Sequence, residues 1–416
     1  MFATLLSVAL LPAWEIRRLG NGGETFVATD GAGTVYATSH LPTQVLVSRD
    51  WGASFGPAQV FDDALGDMIV LVRGKGEATV CYMPKSVDGM ITHSTKDFGK
   101  SWERGDGIRG RPLDREWLVY DPVLQRTYLN YSDGYIGGPK SKGVFVAPST
   151  DGGLTFGPDV RADNLKEGSY AIDPGLAIST LGTVYNMYTS SSDYNTVDSY
   201  HFSVSTDQGK SFAGHRVIET VNKELGDTQE RWMLGGVTAH GESMVTVFYV
   251  NYVSLTIAGK QYRPLLAMYR TSKDGGKTFE PSVIATTQDE LEKAVLAHAK
   301  TAGGESEAPF IQCLPWACYD ESGTLHLVWQ DNRLGLAQAG RSKWTVRHAL
   351  ANDNGTLEKS EQISAPYEAI RPPMDFMACA ADSKYIYVTW TENPGSTNAW
   401  DFTGSFYFAR KALGGS

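Results

Sequence analysis

One short pattern, Ser/Thr-x-Asp-x-Gly-x-Ser/Thr-aromatic, recurs five times along the 416 residues and limits the possible folds more than any other feature. The copies run Ser48 to Phe55, Thr95 to Trp102, Ser149 to Phe156, Ser205 to Phe212 and Ser272 to Phe279. Each residue type has a mechanical reason. An Asp carboxylate accepts backbone N–H groups across a tight turn, Gly supplies a positive φ, and the aromatic ring packs inward. The pattern reads as a hairpin clasp. Its central residues, Asp50, Asp97, Asp151, Asp207 and Asp274, lie 47 to 67 residues apart, which suits one four-stranded sheet per repeat. A degenerate sixth copy, Ala351 to Glu358, has Ala351 in place of the hydroxyl and Glu358 in place of the aromatic, and predicts a looser turn.

Around the clasps the same strand grammar repeats, with alternating apolar residues bounded by Gly, Asp and Asn. One blade reads Trp117 to Asp121, Thr127 to Tyr131 and Val144 to Ala147; another reads Leu314 to Tyr319, Thr324 to Trp329 and Trp344 to Ala349. Strand sets starting near Glu24, Asp67, Glu116, Tyr170, Trp232, Pro315 and Phe376 make seven. The last set runs out after its third strand, Ser405 to Arg410, while Trp14 to Leu19 precedes the first complete set. Placing that N-terminal run as the missing fourth strand closes the ring and removes an exposed sheet edge. The expectation is an all-β, seven-bladed propeller of four-stranded antiparallel sheets, one domain over residues 14–416, since radial repeats combine many small sheets in one fold. Thr287-Gln288-Asp289-Glu290 resembles a capping box and predicts a surface helix to about Lys300 between two blades.

On these five clasps and their register, the chain resembles the Asp-box, or BNR-repeat, family of sialidase-like β-propellers. Sialidase propellers have six blades, which makes six the alternative count. The resemblance also implies export. Phe2 to Ala13 is apolar, too short to span a bilayer, and reads as a compact secretory signal cut after Ala13, hence a secreted or periplasmic protein with a cytoplasmic location as the alternative.

The formal net charge of −10 with dispersed basic residues argues against nucleic-acid and anionic-membrane partners. Four cysteines do not make a disulfide framework, and all four read as buried thiols, although Cys318 and Cys379 fall at equivalent positions of neighbouring blades. The eight histidines lack metal-ligand spacing and no Gly-rich phosphate loop is present, so neither a cofactor nor a metal is expected. A carbohydrate-binding monomer is the partner reading.

In a propeller, chemistry sits where innermost strands begin and second strands hand over to third ones; the clasps lie on the opposite face. Asp114-Arg115-Glu116-Trp117, Gln229-Glu230-Arg231-Trp232 and Arg371-Pro372-Pro373-Met374-Asp375 occupy corresponding mouth positions. Guanidinium groups match a carboxylate bidentately, so Arg115, Arg231 and Arg371 are candidates to hold the carboxylate of an acidic sugar, with Arg333 in reserve. Such a triad is what the sialidase resemblance implies. It also implies a proton donor and a Tyr nucleophile beside a carboxylate. Glu116, Glu230 and Asp375 are the acid/base candidates, and Tyr131, Tyr170, Tyr188 and Tyr194 the nucleophile or stacking candidates, with Glu230 placed beside the tyrosine. The competing reading pairs each arginine with a neighbouring acid and each tyrosine with interblade packing. Three function classes follow: a sialidase-like exo-glycosidase, a lyase on uronate polymers using Tyr188, Tyr194 or His201, and a non-catalytic binding propeller.

Overall fold

In the computed structural model the chain forms seven antiparallel sheets arranged as the blades of a propeller. The structure describes residues 13–134, 140–166, 169–229, 233–301, 309–337, 340–352, 356–372, 375, 377–394 and 404–414. The proposed signal segment therefore lies almost wholly outside the described residues, as do Glu230, Arg231 and Trp232. The innermost strands of blades 1 to 7 are Gly23–Thr29, Ala64–Gly74, Asp114–Asp121, Tyr170–Ile178, Gly236–His240, Gln312–Tyr319 and Ala378–Ala381. Seven blades, not six, and the order within each sheet agree with the strand grammar. Blade 7 is completed from the other end of the chain. Glu15–Asn21 pairs with Ser405–Ala412, Glu15 opposite Arg410 and Asn21 opposite Ser405.

The clasps act as interblade locks as well as turns. In each, the central carboxylate accepts the backbone N–H four residues on: Ser54 to Asp50 at 2.8 Å, Ser101 to Asp97 at 2.9 Å, Thr155 to Asp151 at 3.0 Å, Ser211 to Asp207 at 3.0 Å and Thr278 to Asp274 at 2.8 Å. The glycine is required twice over. It takes a positive φ (79° at Gly52, 77° at Gly209), and its bare Cα seats against the preceding blade. A Cβ on Gly52 would lie 2.4 Å from Phe408 of blade 7, one on Gly209 2.8 Å from Tyr128 of blade 3, and one on Gly276 2.5 Å from Phe202 of blade 4. Arginines of the preceding blade then bond the turn's carbonyls, Arg410 to Trp51 at 2.8 Å and Arg49 to Phe98 at 3.1 Å. Of the sixth clasp, residues 353–355 are outside the described residues; its Asn352 accepts the Thr356 N–H at 2.9 Å.

Between blades the core is aromatic, including the fully buried Trp329, Trp344, Trp390, Tyr131 and Tyr188. At the axis, Phe26 of blade 1, Trp117 of blade 3 and Trp316 of blade 6 meet with ring centroids 5.0 to 5.6 Å apart, which plugs the channel and gives the mouth a floor. The predicted helix is Gln288–Thr301. Its Glu290, expected to fold back onto Thr287 as a capping box, instead turns inward to Arg333, Arg347 and Ser360, because two buried guanidinium groups hold a carboxylate more strongly than one backbone N–H does. No helix among the described residues is long and apolar enough to cross a membrane. All four cysteines are free.

Candidate functional site

The mouth residues are presented by a shared irregularity of the innermost strands. Pairing with the second strand slips between Gly23 and Phe26, Gly66 and Ile69, Asp114 and Trp117, and Cys313 and Trp316. At each slip one residue is left-handed: Glu24 (φ 44°), Asp67 (φ 57°), Arg115 (φ 58°) and Leu314 (φ 51°). A positive φ is uncommon for such residues, and its recurrence at one position in four blades marks a built feature. The bulge lies between the mouth and the aromatic floor, and in blades 1 to 3 it carries charged side chains.

Two sequence candidates from opposite ends of the chain meet there. Arg115 Nη2 of blade 3 donates to Asp375 Oδ2 at the start of blade 7, at 2.9 Å. The other oxygen of Asp375 is buried without a hydrogen-bond partner among the described residues. Next to Arg115, Glu116 is only 1% exposed, and neither of its carboxyl oxygens has a partner among the described residues. Burial, then the nearby Asp67, Asp114 and Glu24 carboxylates, raise its pKa well above the ordinary carboxylate value and favour its protonated form. Asp67 behaves oppositely. Burial works against its charge, but Arg115 and a hydrogen bond shared with Glu24 keep its pKa low.

Other candidates go elsewhere. Arg371 is buried and, with Asp331, acts on the Cys313 thiol, which places it on the blade 6 side of the mouth. Arg333 is committed to Asp331, at 2.6 Å, and to Glu290 of the helix. The Tyr131 hydroxyl bonds to Asp159 and Arg111 at the outer edge of blade 3, and burial drives its pKa far up. Tyr188 stacks on His201 with centroids 5.0 Å apart, and its hydroxyl reaches Asn164 at 3.3 Å; burial raises its pKa as well. His201 is held neutral, at about 4, by burial first. Neither tyrosine is joined to Glu116 or Asp375. Tyr170 and Tyr194 form a T-shaped pair at the mouth, with the Lys140 ammonium 4.8 Å above the Tyr170 ring. Glu230 and Arg231 are outside the described residues.

Sequence reasoning did not select Glu24 and Asp67, although both head innermost strands. Placing them opposite Arg115 requires the strand slips, which a list of motifs does not contain.

No family model and no curated protein matches the chain. Solved structures with a similar fold include an α-L-arabinofuranosidase from Fusarium graminearum in complex with an iminosugar inhibitor, 12% identical over 83% of this chain and 92% of that one, TM-score 0.48. An ulvan lyase is 9% identical over 90% of this chain and 93% of that one, TM-score 0.48. A Hadza microbial sialidase is 12% identical over 91% of this chain and 73% of that one, TM-score 0.46. At such identities and scores these likenesses carry no argument about activity.

Proposed function

We propose that the protein is a carbohydrate-active enzyme that hydrolyses a terminal acidic sugar from a glycan at the propeller mouth. The observation that supports this most is the cross-ring pair of Arg115 with Asp375 beside the buried Glu116, whose carboxyl has no hydrogen-bond partner among the described residues and a raised pKa. An Arg–carboxylate pair is a ready-made exchange site, since Asp375 engages the guanidinium through one oxygen and an incoming sugar carboxylate can offer it two. On exchange, Asp375 is released next to the bound sugar and Arg115 moves off its neighbour Glu116. Glu116 then gives its proton to the glycosidic oxygen as the C–O bond breaks. Asp375 takes a proton from the water whose oxygen bonds to the anomeric carbon, so the products are the free sugar and the aglycone alcohol. Arg371 and Arg231 are assigned to the remaining carboxylate contacts, and the Tyr170–Tyr194 pair to stacking against the sugar. Water rather than tyrosine is assigned as nucleophile because the Tyr131 hydroxyl is committed to Asp159 and Arg111 and the Tyr188 hydroxyl to Asn164.

The test is turnover of a fluorogenic sialoside and a fluorogenic glucuronide by the purified protein and by Glu116→Gln. The expected outcome is hydrolysis by the wild type and a kcat lower by about 100-fold or more in the variant. Absence of turnover on both substrates, or an unchanged kcat in Glu116→Gln, contradicts the proposal. Release of an unsaturated uronate from a polymer would transfer the site to lyase chemistry.

A further inference from the structure

Three mouth groups have no direct part in that reaction, two of them acting only through the field they place on Glu116. Glu24 and Asp67 stand at the same left-handed bulge position of adjacent innermost strands, and His40 ends the second strand of blade 1. One ligand atom from each lies within 4.8 Å of the other two. His40 Nδ1 is 2.6 Å from Glu24 Oε2, and the Asp67 N–H is 3.4 Å from the same oxygen. Gly66 leaves room for the imidazole, since a Cβ there would lie 2.5 Å from its ring. Within electrostatic range of this trio is Glu116, 1% exposed and with both carboxyl oxygens unpartnered among the described residues. Three buried carboxyl groups this close are costly, and Arg115 beside Asp67 with His40 beside Glu24 offsets only part of that cost.

We propose that Glu24, His40 and Asp67 form a binding site for a divalent transition-metal cation, Zn²⁺ in the first place, that ties blade 1 to blade 2 at the mouth. One imidazole nitrogen with two carboxylate oxygens suits Zn²⁺, with Mn²⁺ next; Ca²⁺ and Mg²⁺ favour shells of oxygen alone. The cation adds positive charge beside these buried carboxylates, of which Arg115 acts on Asp67, and its remaining positions go to water. The donors come from strands of two different sheets, so binding stabilises the native ring by mass action. The site does not depend on the glycosidase reading, and its test reads binding rather than turnover.

The experiment is calorimetric titration of the chelator-treated, full-length protein with Zn²⁺, repeated with Mn²⁺ and Ca²⁺. One equivalent of Zn²⁺ is expected to bind and to raise the melting temperature. Affinity is expected to fall about tenfold or more in His40→Gln and in Asp67→Asn, and to stay unchanged in Glu361→Gln, which alters the separate His348–Glu361 pair. Circular dichroism checks that each variant is folded, and the visible spectrum of the Co²⁺-loaded wild type tests the ligands without any substitution. Weak nitrogen/oxygen-type bands are expected. No stoichiometric binding, a stronger preference for Ca²⁺, equal affinity in a folded His40→Gln protein, or an intense thiolate band pointing to the cysteines overturns the proposal.

Discussion

The smallest unit that decides this fold is the clasp glycine. Gly276 combines a φ of 79° with a Cβ position 2.5 Å from the Phe202 ring, so Gly276→Ala meets both backbone strain and a clash with blade 4. A loss of about 3 kcal/mol is expected from urea denaturation, against about 1 kcal/mol for Gly259→Ala, where strain acts without a nearby neighbour. The clasp acids are equally specialised. Hydrogen bonds, those from Ser101 and Ser211 foremost, hold Asp97 and Asp207 at about 2. A depressed carboxylate contributes its stability above the unfolded value and loses it as pH falls towards the folded one, so these turns weaken only between about pH 4 and pH 2. At the mouth, Asp375→Asn removes the competitor for Arg115 together with the base. The predicted signature is a lower KM with a lower kcat for an acidic glycoside, whereas a purely structural Asp375 would leave the ratio of the two unchanged.

Elements explain what could be read in the chain and what could not. Clasps, blades and the closing strand were legible because they rest on turn chemistry and alternation within short windows, as Asp50 to Phe55 and the Glu15–Asn21 pairing show. The facing of side chains was less legible. Tyr131 stands near the mouth end of a second strand and Tyr188 in the middle of one, yet alternation buries both rings between blades, while slips in neighbouring strands bring Glu24 and Asp67 together. Deleting residues 1–21 leaves Ser405–Ala412 as an unpaired edge and strips Arg410 of Glu15, to which it donates at 2.8 Å. Concentration-dependent association by light scattering and a clear fall in melting temperature are expected, since open edges recruit other strands. Beside this closure runs a buried chain in which Lys411 of blade 7 pairs with Glu361 at 2.7 Å, Glu361 with His348 at 2.8 Å, and His348 with His326 at 3.0 Å. Burial first, and then His326, hold His348 at about 4 against the pull of Glu361. Because its folded value lies below the unfolded one near 6.5, stability should fall as pH drops from there to about 4. His348→Gln should flatten that part of the stability profile, and an unaltered profile would show that the pair does not contribute.

At the scale of the whole molecule, the ring turns sequence distance into proximity. Arg115 and Asp375 are 260 residues apart and lie 2.9 Å from each other, above a floor built by Phe26, Trp117 and Trp316. Such a mouth is one place to which several blades contribute single side chains, and this is why an anion contact, a buried acid with a raised pKa and a paired carboxylate can share it. The central claim is that Arg115 trades Asp375 for a sugar carboxylate. It is tested most directly by comparing hydrolysis of a fluorogenic acidic glycoside with that of its carboxyl methyl ester, by the wild type and by Arg115→Ala. The wild type is expected to favour the free acid by about 100-fold in kcat/KM and the variant to lose most of this preference. Equal turnover of acid and ester by the wild type, or a preference that survives in Arg115→Ala, would contradict it.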